Sequence, residues 1–174
     1  MTVYFTRHGE TEWNREDRIC GVTDLPLTEL GIEQAEKMAE AVPSTVQHIL
    51  CSPMKRARQT AIPVARRLNL VPTIDRRLME WNYGEYEGKG RYTEGFAEAK
   101  LEFGVRMPSG ESVFDVVSRV YPLLQAIPKL YDEDVLIITH GGICRIIEAY
   151  ARGMSRETFS NFFMGNCELR SWTI

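Results

Sequence analysis

The hydrophobic positions along the chain follow two alternating patterns. Short apolar runs bounded by polar or turn-forming residues are typical of strands, and they occur at residues 3–6, 46–50, 70–74, 135–139 and 167–174. Between these runs the apolar residues recur at helical spacing, which predicts helices at residues 28–42, 52–68, 94–103, 113–124, 142–152 and 155–163. The alternation predicts a single α/β domain over residues 1–174, a three-layer α/β/α sandwich on a mostly parallel sheet.

Capping residues indicate where the first two helices begin. Thr28 is the predicted N-cap of the first helix, and Pro43 stops that helix. Ser52 and Pro53 are the predicted N-cap and first residue of the second helix, which Pro63 should kink. The polar stretch before the first helix, residues 9–27, is a long loop, and loops of that length are usually functional.

Composition narrows the range of partners. The 174 residues carry a net charge of −3, so there is no global basic field for nucleic acid or an acidic membrane, and an anionic ligand needs local arginines. The first residues do not resemble a signal peptide, and no apolar run approaches the ~20 residues of a membrane span. The four cysteines favour free thiols in a reducing cytoplasm, although an even number also permits disulfides. The oligomeric state stays open.

Two of the three histidines have the same local context. His8 follows an apolar strand and precedes a glycine, and His140 does the same in the second half of the chain. In open α/β sheets, ligands bind outside the carboxyl ends of the strands, so the two histidines are candidates for one site. His48 lies inside a predicted strand and is interpreted as structural or exposed.

Several blocks of sequence carry a resemblance to a known family. RHGETEWN at 7–14 resembles the signature of the histidine phosphatase superfamily, which includes cofactor-dependent phosphoglycerate mutases and related phosphatases. Four further blocks are similar in the same order: RICGVTDLPLTELG at 18–31, CSPMKRARQTA at 51–61, LMEWNYGEYEG at 78–88 and THGG at 139–142. PSGES at 108–112 and the closing strand are weaker matches. The resemblance implies a phosphoglycerate mutase-like fold and phosphoryl transfer through histidine.

Arginines are the expected phosphate ligands, because the planar guanidinium group meets phosphate oxygens in pairs. Arg7 is one candidate, and Arg56 or Arg58 on the second helix is another. The two helical arginines lie about 200° apart around the helix axis, so one site should not receive both. Arg56 is nearer the strand end, and the resemblance also implies Arg56.

The nucleophile is expected to be a neutral imidazole whose second nitrogen is held as a donor. The residues alone leave His8 and His140 interchangeable. The resemblance implies that His8 forms a phosphohistidine and that His140 donates to the phosphoryl oxygens. Asn14 and Thr23 are expected to be neutral phosphate donors, and Gly141 should let the backbone approach the ligand.

A carboxyl group should protonate the leaving alkoxide and later activate water. Glu80 is the candidate, because it lies in the block that resembles the family's acid block and because burial beside Trp81 would raise its pKa. Glu85 and Glu87 are interpreted as rim residues and Glu111 as a helix-start carboxylate.

Metal-dependent chemistry would need clustered ligands, and the only dense acidic cluster, residues 132–134, precedes a strand and so lies at the wrong edge of the sheet. No metal or cofactor is therefore expected. Three functions stay open: a phosphatase for small phosphorylated metabolites, a phosphoglycerate mutase, and a non-catalytic phospholigand-binding domain. The phosphatase is favoured, because the stretch between the acid block and the Gly-Glu-Ser turn lacks the adjacent arginine pair of the mutases and because the run GEYEG at 84–88 resembles the phosphatases.

Overall fold

The computed structural model describes residues 1–174. Its sheet has five strands: β1, Thr2–Arg7; β2, Val46–Cys51; β3, Thr73–Ile74; β4, Asp134–Thr139; and β5, Leu169–Thr173. Its α-helices are α1, Glu12–Arg15; α2, Glu29–Ala41; α3, Lys55–Leu68; α4, Phe96–Ala99; α5, Val113–Leu130; α6, Gly141–Arg152; and α7, Arg156–Asn161. Two single 3₁₀ turns, Arg76–Leu78 and Gly84–Tyr86, lie in the long segment between β3 and α4.

The sheet order is β3-β2-β4-β1-β5, and only the edge strand β5 is antiparallel to its neighbour. Successive residues of the central strand β4 face opposite helical layers, as pleating requires. Ile137 packs with α5 and α6, whereas Leu136 and Ile138 pack with α2 and α3. The predicted three-layer α/β/α sandwich on a mostly parallel sheet is confirmed.

The second helix does not begin where its sequence predicts. Helix α3 starts at Lys55 rather than Pro53, and Met54 is its N-cap without a side-chain cap. The Ser52 hydroxyl is engaged with His140 at 2.7 Å, so it caps the helix only weakly, through a 3.4 Å bond from the Met54 amide. The carboxylate of Asp24, in the preceding loop, caps the helix start instead, because it accepts a hydrogen bond from the Lys55 amide at 2.8 Å.

Two other elements are shorter than their sequences predict. Strand β3 has only two residues, because α3 ends at Asn69 in the left-handed conformation and the following Val71 is 89% exposed. The helix predicted at 94–103 is only the single turn α4. The polar loop at 9–27 contains one unpredicted helical turn, α1, which Thr11 and Asn14 close with a capping box.

Candidate active site

The two histidines meet because their strands are parallel neighbours. Strands β1 and β4 pair with Arg7 opposite Thr139, so the next residues, His8 and His140, leave the sheet together at its carboxyl edge. The His8 amide donates to the Thr139 carbonyl at 2.9 Å. The two imidazole centroids lie 5.2 Å apart with an interplanar angle of 60°, and both rings are buried.

His8 is held as a neutral imidazole with a fixed orientation. Its Nδ1 lies 2.7 Å from the Gly9 carbonyl, and that contact places a proton on Nδ1 and the lone pair on Nε2. The Gly9 backbone is itself fixed, because its amide donates to the Thr60 hydroxyl at 3.0 Å. Burial, and then the positive charges of Arg56 and Arg7, hold the pKa of His8 well below its ordinary 6.5.

Arg56 joins both histidines to the polar loop. Its Nε–H is shared between His8 Nε2 and His140 Nδ1, at 3.1 Å from each. Its Nη1 and Nη2 donate to the carbonyls of Thr23 and Gly21 at 2.8 and 2.7 Å. The side chain is fully buried. In this arrangement Arg56 fixes the loop, and its shared Nε–H points toward the lone pair of His8.

His140 carries its single proton on the side of Ser52. Burial and the nearby Arg56 hold its pKa well below 6.5, so the ring is neutral. Because Nδ1 accepts from Arg56, the proton is on Nε2, which lies 2.7 Å from the Ser52 hydroxyl. A hydroxyl can donate or accept, so Ser52 can also hold the other tautomer, in which Nδ1 is the donor.

Arg7, His8, Asn14, Glu80 and Gly141 line a single open cavity. The Arg7 Nη1 donates to the Met164 carbonyl at 3.0 Å, whereas its Nε is buried and has no hydrogen-bond partner. The Asn14 carbonyl oxygen accepts from Thr11 and Asn166, which leaves its amide nitrogen available to a ligand. A partnerless guanidinium nitrogen beside a free amide donor fits an oxyanion such as phosphate.

Glu80 lies in the same cavity as a buried carboxyl group, 5% exposed. Its two oxygens accept from the Trp81 amide at 2.8 Å and the Gly142 amide at 3.0 Å. Burial raises the pKa of Glu80, and those two amides together with the charges of Arg56 and Arg7 partly oppose the rise. The close approach requires glycine at position 142, because a β-carbon there would lie 2.6 Å from Glu80 Oε1.

The requirement for glycine therefore falls on Gly142 more than on Gly141. A β-carbon at Gly141 would meet Arg7 Nε at an ordinary contact distance of 3.5 Å. No protein atom excludes a side chain at 141, and close approach of a ligand stays a prediction for that residue.

Thr23, predicted as a phosphate donor, does not point into the cavity, and Arg58 and Glu111, which were weighed and not favoured for the site, also lie outside the cavity lining. The Thr23 hydroxyl donates to Glu87 at 2.7 Å, so its proton is directed to that carboxylate and not into the cavity. Arg58 is exposed on the opposite face of α3, in a groove next to β3. Glu111 does not cap α5, because Asp115 forms the capping box with Ser112; Glu111 instead pairs with Arg119 at 3.1 Å.

The structure adds to the site three residues to which the sequence analysis assigned no role there. Ser52 and Thr60 hold His140 and the Gly9 backbone, and both lie inside the block at 51–61, which could have indicated them. Asn166 donates to the His8 carbonyl at 2.9 Å and to Asn14 at 3.2 Å. Asn166 begins the segment at 166–174 that resembles the family's closing strand, but nothing local indicates its role, because its partner His8 lies 158 residues away in the chain.

Two features lie away from this site. His48 is partly exposed and pairs with Glu133 at 3.1 Å, and Asp134 accepts from the Thr2 amide at the amino end of β4. No three His, Cys, Asp or Glu side chains are grouped as a metal site would group them, and none of the helices has the length and apolar character to cross a membrane.

A buried pair of neutral histidines with arginines at the carboxyl edge of a parallel sheet is suited to binding and transferring a phosphoryl group. A model of one family, the histidine phosphatase superfamily (branch 1), matches residues 3–174. The chain belongs to that superfamily, as its sequence blocks predicted.

Relatives and solved structures are similar over nearly the whole chain. A Hydrogenobacter thermophilus protein with the provisional name phosphoserine phosphatase 2 is 31% identical, covering 94% of this chain and 85% of its own. A Yersinia pestis protein provisionally named as a phosphoglycerate mutase is 32% identical, covering 97% and 83%. The structure of a mycobacterial glucosyl-3-phosphoglycerate phosphatase in complex with VO3 has a TM-score of 0.87 at 28% identity, covering 98% and 91%.

Proposed function

We propose that this chain is a phosphatase that hydrolyses small phosphate monoesters through a phosphohistidine on His8. The observation that carries the proposal is the Nδ1 contact to the Gly9 carbonyl, which leaves the Nε2 lone pair of a neutral His8 beside the cavity. Phosphoryl transfer needs positioning and charge stabilisation more than covalent assistance, and the buried arginines supply both.

The first half of the reaction moves the phosphoryl group to His8. Arg7 and the Asn14 amide bind the phosphate, and the Arg56 Nε–H turns from the two imidazoles to a phosphoryl oxygen. The Nε2–P bond forms as the P–O bond to the alcohol breaks. The His140 tautomer that carries its proton on Nδ1, with Nε2 accepting from Ser52, donates to a phosphoryl oxygen, and Glu80 gives its proton to the leaving alkoxide.

The second half returns the enzyme to its starting state. The Glu80 carboxylate takes a proton from water as the new O–P bond forms and the Nε2–P bond breaks. Inorganic phosphate leaves, and Glu80 is protonated again for the next cycle. Burial suits Glu80 to both steps, because a raised pKa makes the carboxyl group easier to protonate between turnovers and a stronger base toward water.

The names of the relatives support a phosphatase, and one of them supports a second candidate function, phosphoglycerate mutase. The Hydrogenobacter and mycobacterial proteins are named as phosphatases, whereas the Yersinia name favours a phosphoglycerate mutase. A screen of phosphate esters with and without 2,3-bisphosphoglycerate separates the two. A phosphatase releases inorganic phosphate without the bisphosphate, whereas a mutase needs it and returns an isomer.

Metal-independent turnover is part of the proposal. The arginines provide the positive charge, so chelators should leave the rate of phosphate release unchanged. Loss of activity with a chelator and its return with magnesium or zinc would contradict this mechanism. We also propose the reducing cytoplasm as the setting, which the four free cysteines support.

A further inference from the structure

We propose that Glu87 is a positioning residue for Arg56 and acts on it through the backbone of the loop at 21–23. The inference rests on the proposed phosphoryl transfer at His8, because it assigns the group that keeps the Arg56 Nε–H directed at that histidine. Glu87 is half-buried and does not line the cavity, so its effect on the reaction is carried by other residues.

The carboxylate of Glu87 is bound by the loop and by no cation. Its Oε1 accepts from the Val22 amide at 2.7 Å, and its Oε2 accepts from the Thr23 amide at 3.2 Å and the Thr23 hydroxyl at 2.7 Å. A longer bond of 3.4 Å comes from the Tyr83 amide. All of these partners are neutral, so no side chain offsets the negative charge directly.

The loop approaches Glu87 so closely that residue 21 must be glycine. A β-carbon at Gly21 would lie 2.0 Å from Glu87 Oε1 and 2.4 Å from the Trp81 carbonyl oxygen. The first atom belongs to a side chain and could move, but the second belongs to the backbone and could not. The contact between the loop and Glu87 is therefore a fixed feature of this fold.

Arg56 has the complementary deficit, because it is a fully buried cation without a carboxylate partner. Its guanidinium donates to the imidazoles of His8 and His140 and to the carbonyls of Gly21 and Thr23. These four acceptors are neutral as well. A buried charge is costly unless an opposite charge or oriented dipoles compensate it.

One peptide group connects the two ions. The Gly21 carbonyl, which accepts from Arg56 Nη2 at 2.7 Å, and the Val22 amide, which donates to Glu87 at 2.7 Å, belong to the same peptide. The two groups of a trans peptide point in opposite directions, so the negative end of its dipole faces the cation and the positive end faces the anion. Consecutive hydrogen bonds of this kind polarise and strengthen one another.

This arrangement fixes the donor that faces the nucleophile. The guanidinium group is planar, so holding Nη1 and Nη2 on the two loop carbonyls also sets the direction of the Nε–H. That Nε–H lies 3.1 Å from both imidazoles and is the proposed donor to the transferring phosphoryl group. Loss of the Glu87 charge should weaken the hold on Arg56 and lower the rate without removing a substrate contact.

The test is a double-mutant cycle of Glu87→Gln and Arg56→Ala, with phosphate release from p-nitrophenyl phosphate as the readout. Glu87→Gln keeps the shape of the side chain and an acceptor for the Val22 amide but removes the charge. It should lower kcat about tenfold, the scale of one hydrogen bond, with little change in KM. In the Arg56→Ala background it should cost less than about twofold, because the residue it positions is gone.

Glu85→Gln is the matched control. Glu85 lies two residues before Glu87, is exposed, and has one long contact, from the Ser109 hydroxyl at 3.5 Å. The control should leave kcat unchanged. Thr23→Val, which removes only the hydroxyl that donates to Oε2, supplies the same cycle if Glu87→Gln does not fold. It should give a smaller loss of kcat, again only when Arg56 is present.

A measurement without substrate separates this inference from the proposed function. In ¹⁵N NMR spectra the Arg56 Nε–H should exchange slowly with solvent in the wild type and in Glu85→Gln, and faster in Glu87→Gln. Unchanged exchange in Glu87→Gln, or equal rate losses with and without Arg56, would overturn the positioning role while the phosphatase function stands. A wild type with the protected Nε–H that releases no phosphate from any ester would overturn the phosphatase function instead.

Discussion

The Nε atom of Arg56 lies 3.1 Å from Nε2 of His8 and donates its proton toward the nitrogen proposed as the nucleophile. In the free enzyme this hydrogen bond covers the imidazole lone pair. A bound phosphoryl group must take over the Arg56 N–H before phosphorus reaches His8. The same donor can thus hold the free histidine in place and then stabilise the charge on the transferring group.

The first prediction concerns the nucleophile. A brief reaction with a ³²P-labelled ester should place an acid-labile, alkali-stable label on the peptide that contains His8, because its Nε2 carries the lone pair that attacks phosphorus once a phosphoryl oxygen has taken over the Arg56 N–H. His8→Ala should abolish turnover and still bind phosphate. His48→Ala is the control and should behave as wild type, since His48 lies away from the cavity. Label on the His140 peptide would show that the two roles were exchanged.

The second prediction separates the two arginines of α3. Arg56→Ala should lower kcat by about 10²–10³, the range found when one transition-state donor is deleted. Arg58→Ala should have a far smaller effect, because Arg58 is exposed on the other face of the helix. Thermal unfolding of both variants should accompany the kinetics, since Arg56 also holds two loop carbonyls. Comparable rate losses in the two variants would contradict the assignment.

The third prediction separates the two halves of the reaction through Glu80. A p-nitrophenyl leaving group needs no proton, so His8 of the Glu80→Gln variant should still be phosphorylated by that ester. Hydrolysis of the phosphohistidine should then be slow, because the variant has no base to activate water. The expected trace is a nitrophenol burst near one equivalent per site, followed by slow turnover. An alkyl phosphate should give no burst. Near-normal steady turnover of both esters would make Glu80 a bystander.

The fourth prediction concerns pH and stability. The pKa values of His8 and His140 are lowered in the folded protein, so below pH 6.5 the unfolded chain binds protons that the folded chain does not. The free energy of unfolding should therefore fall with decreasing pH, by ~1.4 kcal/mol per unit for each neutral histidine, until its folded pKa is reached. The raised pKa of Glu80 acts in the opposite direction and only above its ordinary value of 4.5.

Urea unfolding at pH 7.5 and 5.5 measures this effect. His140→Asn should show a smaller loss of stability between the two pH values than wild type, whatever its stability at pH 7.5. The contribution of Glu80 is present in both proteins, so the difference between them reports mainly the histidine. Identical losses in variant and wild type would mean that His140 is protonated in the folded state.

The pattern along the chain determined the layers of the fold and the edge that carries the site. Apolar period and length distinguish buried parallel strands from helices, and parallel strands all end at one edge of the sheet. The ends of two parallel strands therefore predict that His8 and His140 lie together, and position along the helix favours Arg56 over Arg58. Strand β3 and the helix at 94–103 are shorter than their apolar patterns predict. Val71 and Ile74 stay exposed at the sheet edge, whereas Phe96, Leu101 and Phe103 pack against the core from a series of turns and not from a continuous helix.

Only the tertiary structure decided which partners each side chain takes. The sequence predicts that Thr23 donates a hydrogen bond to phosphate, yet its hydroxyl donates to Glu87, a residue 64 positions away. The sequence block around Glu80 predicts that its carboxyl group is buried beside Trp81. It does not predict that the Gly142 amide, from a distant segment, joins the Trp81 amide in holding that carboxyl group. Lys100 and Arg145 share no motif, and both line the cavity only because packing brings α4 and α6 to its wall. Local sequence determines which segments form strands and helices. Long-range packing determines which side chains become hydrogen-bond partners, because those partners come from distant parts of the chain.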